Sequence, residues 1–186
     1  MSNFIEELKA RRSQYVLTSE SPVGDQEIVK TVEDVTVQVP SAFNSQPQRA
    51  VVLFGDANQK LWNIVKETLR KVVSDDEAFK GTEAKINAFA AGHGTVLFYD
   101  DTDVTKQLQK NFPTYAANFP GFARDAAGML QLAVWIALAE KGLGASLQAP
   151  QPADRRGGLR RIRSAAQLGV AGADAVRHRR PGRGSG

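Results

Sequence analysis

Arg11, Arg12 and Ser13 are consecutive in the sequence. Two guanidinium forks beside a hydroxyl suit a phosphate monoester, because charge-assisted bidentate bonds are among the strongest polar contacts a side chain makes. The same three residues also describe a solvated helix end, so taken alone they assign nothing. A second constellation is Pro40-Ser-Ala-Phe-Asn-Ser-Gln-Pro47, followed by Gln48 and Arg49. Ser41, Asn44, Ser45 and Gln46 can all hydrogen-bond, and Ala42 beside Phe43 lets backbone approach a flat ligand; ordinary turn chemistry uses the same residue types. The third is Lys141-Gly142-Leu143-Gly144, a glycine pair at the end of a long apolar run.

Other chemistry-bearing residues read as structural. His93 lies in Gly-His-Gly before a strand and reads as a turn residue. Asp75, Asp76 and Glu77, and the pair Asp100 and Asp101, read as solvated helix and loop ends, since no ligand spacing around them makes a metal site. No acid–base side chain stands out. The absence of cysteine excludes a disulfide framework and thiolate metal sites and fits a reducing, cytoplasmic compartment.

The elements that would position the three constellations follow from periodicity. Phe4, Ile5 and Leu8 share one face of a first helix ending near Arg12, with Ser2 or Asn3 as its cap. Asp25 is expected to cap a second, in which Ile28, Val29, Val32, Val35 and Val39 recur at helical spacing until Pro40. Ala50–Phe54 reads as a buried strand, and Asp56 begins a helix with Leu61, Trp62, Val65, Leu69, Val72 and Val73 inward. Ile86 and Phe89 mark a shorter helix before a strand at Thr95–Tyr99. Phe112, Tyr115 and Phe119 form an aromatic loop around two prolines, and residues 121–140 a helix apolar on nearly every side, which its own domain or a partner subunit must cover. Its longest apolar run, Met129–Ala139, is too short to span a bilayer, so no membrane role is expected. Ala145–Leu147 looks like the start of a central strand, and the pattern as a whole is α+β.

The chain changes character after Gln148. Residues 149–186 carry nine Arg against Asp154 and Asp174, with no Lys and no aromatic residue. The body before it holds 15 basic and 18 acidic side chains, so the net charge of +4 belongs to the tail and the body is mildly acidic. A basic arm would bind nucleic acid without sequence preference, and a linker would carry similar composition. The expected organisation is one domain over 1–148 and an Arg/Gly/Ala-rich tail over 149–186 that is disordered and adds no strand.

Taken in order, the three constellations resemble the FMN-dependent nitroreductase family, in particular its small NAD(P)H branch of fungal and Gram-positive members. The resemblance covers residues 3–148. It implies a nitroreductase-like fold, a central sheet flanked by helices, and a flavin site built at a homodimer interface. Carried over by position, Arg11 and Ser13 would bind the FMN phosphate with Arg12 nearby. Pro40, Ser41, Ala42, Phe43, Asn44 and Gln46 would line the flavin, and Lys141, Gly142, Leu143 and Gly144 would offer backbone groups near its reactive edge. Tyr15 stands where many members carry a basic residue. The implied reaction is ping-pong hydride transfer from NAD(P)H through FMN to a nitroaromatic, a quinone or a similar small-molecule acceptor, the cofactor carrying the chemistry. A flavin-binding stress or regulatory protein with little turnover is the alternative within the same fold; nucleic-acid binding through the tail is a third reading, disfavoured by the acidic body.

The tail also fits a shifted reading frame. Written as GCA CCA CAA CCC GCT GAT CGA CGA GGC GGT, the stretch Ala149–Gly158, with its first base dropped, reads H-H-N-P-L-I-D-E-A-V, similar to the family's continuation. The same offset from Ala165 onward permits P-P-S-W-E-L-R-A-Q-M-P-F-G, again family-like. An out-of-frame C-terminus would remove a further basic contact to the FMN phosphate and a central strand, impairing this copy.

Overall fold

The computed structural model describes residues 3–148 together with the backbone of Ile162–Ala171. Six helices flank a four-stranded sheet: α1 (Phe4–Ala10), α2 (Asp25–Gln38), β1 (Gln48–Phe54), α3 (Gly55–Val72), α4 (Asp76–Ala90), β2 (Gly94–Asp101), α5 (Thr102–Asn111), α6 (Phe119–Glu140), β3 (Gly144–Gln148) and β4 (Ile162–Ala171). The fold is α+β, as the sequence pattern requires.

Local chemistry sets the boundaries. Asn3 caps α1, its side chain accepting from the Ile5 amide at 3.0 Å. Asp25 does not cap α2: Gly24 holds the cap position and Asp25 is the first helical residue. Asp75 caps α4, accepting from the Ala78 amide at 2.7 Å, so α4 extends far beyond the short helix marked by Ile86 and Phe89. Asp76 in the same cluster pairs with Arg70. Pro120 sits in the first turn of α6, where its missing N–H costs no hydrogen bond.

The strand order is β1-β2-β4-β3, every neighbouring pair antiparallel. Two sequence expectations change here. The segment Ile162–Ala171 forms a strand between β2 and β3, whereas residues 149–186 were expected to add none; 149–161 and 172–186 lie outside the described residues. The reason is legible in the chain: Ile162, Ala166, Leu168 and Val170 fall at even positions among small or polar residues, the period of a strand. Ala145–Leu147 in turn belongs to the last strand of the described order: β3 pairs with β4 on one side, and on the other it carries the isolated parallel bridge from Ser13 to Ala145.

Alternation along β2 assigns the helices to opposite faces. Val96 and Phe98 join Ile28 and Val32 of α2 and Leu130, Val134, Trp135 and Leu138 of α6 in one buried cluster, with Leu143 and Ala145. Thr95 points the other way. Its hydroxyl accepts from the Trp62 indole at 3.0 Å and donates to Asn58 Oδ1 at 2.6 Å, and Asn58 donates onward to the Gly92 carbonyl at 3.3 Å. This buried chain pins α3 to β2 and to the turn before it. Gly94 closes the same corner: a Cβ there would meet the Leu53 carbonyl oxygen and the Phe54 ring, each at 2.7 Å.

Helix α6 runs 22 residues and is long and apolar enough to cross a bilayer, which the run Met129–Ala139 alone is not. In this fold it is the central packing element, with nine buried residues distributed around it. Most of its surface is covered by its own domain. Met129 and Leu132 remain 43% exposed each, and Phe4 and Ile5 of the neighbouring α1 are exposed as well.

Candidate functional site

Arg11 ends α1 and turns its guanidinium onto the indole of Trp135, 4.3 Å from carbon to ring centroid. Its Nε is buried and has no hydrogen-bond partner among the described residues. A buried charged donor left unpaired is costly, so the position suits an anion arriving from outside the chain. Arg12 folds back, donating to the Arg11 carbonyl at 2.9 Å, and is exposed. Ser13 is exposed and forms a parallel bridge with Ala145, reinforced by the Gln14 amide donating to the Ala145 carbonyl at 2.9 Å. Tyr15 follows, fully on the surface at 63% exposure.

The bridge joins the first constellation to the third. After α6, Lys141 leads into Gly142 at φ 81°, a left-handed conformation that glycine adopts without steric cost, and Leu143 is buried. Gly144 opens β3. Lys141 itself reaches away from this turn to Glu27 at 2.7 Å. That hydrogen bond, and next the Glu27 charge, hold the ammonium protonated above the ordinary lysine range. What the turn presents nearby is therefore backbone. Arg11, Ser13, Gly142, Leu143 and Gly144 gather at the C-terminal end of α6.

The loop Pro40–Gln46 is held elsewhere. Phe43, Asn44 and Gln46 all have left-handed backbone, at φ 59°, 49° and 48°. Three such non-glycine residues in one loop are strained, and strain of this kind persists only where surrounding contacts enforce it. The contacts are visible. Ser41 Oγ accepts from the Gln46 amide at 2.8 Å, the Asn44 amide donates to the Ser41 carbonyl at 3.0 Å, and Gln46 Nε2 donates to Asn44 Oδ1 at 3.2 Å. Pro40 accepts from Gln48 Nε2 at 3.4 Å, while Ala42 begins the short helical turn that carries Phe43. The Phe43 ring packs against Phe112, Tyr115 and Phe119 at 5.2, 5.9 and 5.3 Å between centroids.

Those contacts place the loop at the N-terminal end of α6. Phe119, which touches Phe43, and Trp135, which touches Arg11, stand about 24 Å apart along the helix axis at roughly 1.5 Å per residue. One chain thus holds its candidate residues in two groups at opposite ends of its central helix. Sequence order placed all three constellations on one ligand but could not reveal this separation. Nor did it reveal Trp135 as the support for Arg11; helical spacing marked that residue only as core. A groove of about 450 Å³ between α2 and β1, lined by residues such as Val29, Thr36 and Arg49, contains none of the candidate residues.

Residues 8–170 match the Nitroreductase family. The chain belongs to that family. The matched span continues past Gln148 nearly to the end of β4. A Saccharomyces cerevisiae nitroreductase is 36% identical over 148 residues, covering 78% of this chain and 73% of the relative. Among solved structures, nitroreductase CinD from Lactococcus lactis in complex with chloramphenicol superposes with a TM-score of 0.79 at 35% identity, over 92% of this chain and 90% of that one. A nitroreductase-fold protein from Exiguobacterium sibiricum in complex with FMN shares the fold at a TM-score of 0.65 and 13% identity, over 97% of this chain and 92% of its own. As a nitroreductase-family member, the chain is an oxidoreductase.

Proposed function

We propose that this nitroreductase-family chain is an FMN-dependent oxidoreductase that uses NAD(P)H to reduce nitroaromatics, quinones or similar small acceptors in the cytoplasm. The observation that carries the cofactor reading is Arg11, whose buried, unpartnered Nε and indole-stacked guanidinium lie beside Ser13. This donor set fits a terminal phosphate, with Arg12 adding positive charge from the surface. Next to it, Gly142, Leu143 and Gly144 would turn backbone groups toward the flavin edge. FMN, when bound, supplies the hydride chemistry; the chain's contribution is to bind, orient and shield.

The second half-site completes the reading only if another copy provides it. The loop carrying Pro40, Ser41, Ala42, Phe43, Asn44 and Gln46 packs through Phe43 at the end of α6 opposite the Arg11 corner of its own chain. In a twofold dimer the loop of one copy can meet the Arg11 corner of the other, and the reciprocal pairing follows from symmetry. Exposed Met129, Leu132, Phe4 and Ile5 supply an apolar surface for that contact. Phe43, Phe112 and Tyr115, each exposed by at least 41%, would then flank an acceptor.

Purification of the full chain tests the proposal. Expected are flavin absorbance bands, either as purified or after adding FMN, and NAD(P)H oxidation that accelerates with 4-nitrophenol or chloramphenicol. A soluble, folded protein that takes up no FMN would overturn it. A protein that binds FMN but turns over negligibly would favour a flavin-binding regulatory role.

A further inference from the structure

The segment linking Ser13 to α2 is irregular, and among the described residues it is held at few points. Ser13 and Gln14 bond to Ala145 at its start, Leu17 is buried, and Ser21 Oγ donates to the Val23 carbonyl at 2.6 Å near its end. For residues 15–20, the hydrogen bond that reaches them from elsewhere in the described fold comes from His93. Its Nδ1 lies 2.8 Å from the Ser19 carbonyl and its Nε2 2.7 Å from Asp25 Oδ1.

Both partners are acceptors. A peptide carbonyl has no proton to give, and an ionised carboxylate has none either. A neutral imidazole carries one N–H and can satisfy one of them; the imidazolium carries two and satisfies both. The Phe54 ring lies 5.5 Å from that of His93, and Gly94, its neighbour, is locked against Leu53 and Phe54. Ionisable side chains on the pieces around the ring are Glu20 beside Ser19, Asp25 and Glu27 in the first turn of α2, and Asp56 at the head of α3. Glu27 is engaged by Lys141. The end of α4 and the start of β2 are uncharged from Ile86 to Tyr99 apart from His93 itself.

We propose that His93, charged and donating from both ring nitrogens, is a proton-dependent clamp that holds segment 14–24 against α2 and the α4–β2 turn. The sign follows from proton counting. The clamp is complete when the ring carries its second proton. It loses one of its two bonds when that second proton leaves. Because Ser13 heads the same segment, the clamp also steadies the Arg11–Ser13 corner, making His93 a positioning residue. This inference does not depend on whether the chain binds flavin.

Hydrogen exchange of the full chain, corrected for intrinsic rates and referenced to β2 amides, tests it. Amides of residues 15–20 should be at least fivefold better protected at pH 5.5 than at pH 8.0 in the unsubstituted protein. His93→Gln should abolish that difference, and His93→Arg, a fixed-charge donor, should keep protection at both pH values. Asp25→Asn should weaken the pH dependence while leaving β2 unchanged. A pH ratio near one in the unsubstituted protein overturns the proposal without any variant, as does an undiminished ratio in His93→Gln.

Discussion

The guanidinium of Arg11 rests on the indole of Trp135, 4.3 Å from carbon to ring centroid, with its Nε buried and unpaired. Stacking fixes the plane of the guanidinium fork. Replacing Arg11 with Ala should weaken FMN binding by roughly 10- to 100-fold, the worth of one hydrogen bond to a charged group. Arg11→Lys should recover little, because an ammonium neither stacks in this way nor binds bidentately. Fluorescence titration of flavin-stripped protein measures both.

Gly94 tests the corner beneath His93. A methyl group there meets a backbone oxygen and an aromatic ring at 2.7 Å. Gly94→Ala should cost about 1 to 3 kcal/mol, the usual range for overpacking. Urea unfolding would register this as a lower midpoint at unchanged slope.

Tyr99 gives the fold an alkaline limit. Burial of this half-exposed ring disfavours its phenolate and holds its ionisation above the usual tyrosine range. The stabilisation is complete below the unfolded-state value of about 10 and is lost as pH rises through it toward the higher folded value. Melting temperature should therefore fall more steeply above about pH 10 in the unsubstituted chain than in Tyr99→Phe. Circular-dichroism melts across that range read the difference.

Much of this was legible in the chain because local rules were strong. Asn3 before an apolar helix, Pro40 after one, and the continuous run Ala50–Phe54 each announce an element, although that run lies in the edge strand β1 and none of it is buried, Val51 being 43% exposed. The long α6 showed itself by apolar content alone. Helix α5, Thr102–Asn111, has no fully buried residue, and its inward side is marked by only two apolar residues, Val104 and Leu108, too few to stand out among polar neighbours. Strand β4 was hidden for a different reason: Arg, Gly and Ala dominate the tail and obscured the alternation from Ile162 to Val170. The site divided likewise. Residue types named its parts, but whether those parts face one ligand within a chain depends on the path of α6, which no motif encodes.

If residues 149–186 are an out-of-frame translation, the gene itself must show it. Sequencing the gene across the codons for Leu147–Ala149 should reveal a second open frame that continues in family-like sequence. Expressing that frame should yield a protein with tighter FMN binding and a higher melting temperature than the present chain, because it supplies another basic contact and apolar strand residues to the sheet. An uninterrupted gene with no second open frame would exclude the idea.

On the proposed reading, the two residue groups at opposite ends of α6 become one site across two copies. Complementation in mixed dimers tests it most directly. One chain carries Arg11→Ala; the other carries Ser41→Ala together with Asn44→Gly, which keeps the left-handed backbone available. Each parent alone should lose at least roughly tenfold in NAD(P)H oxidation with a nitroaromatic acceptor. Co-expressed with different tags and purified as a mixed dimer, the pair should regain about half of the unsubstituted activity, since symmetry leaves one site with both halves intact. A mixed dimer no more active than its parents, or full activity in a monomer, would contradict the account.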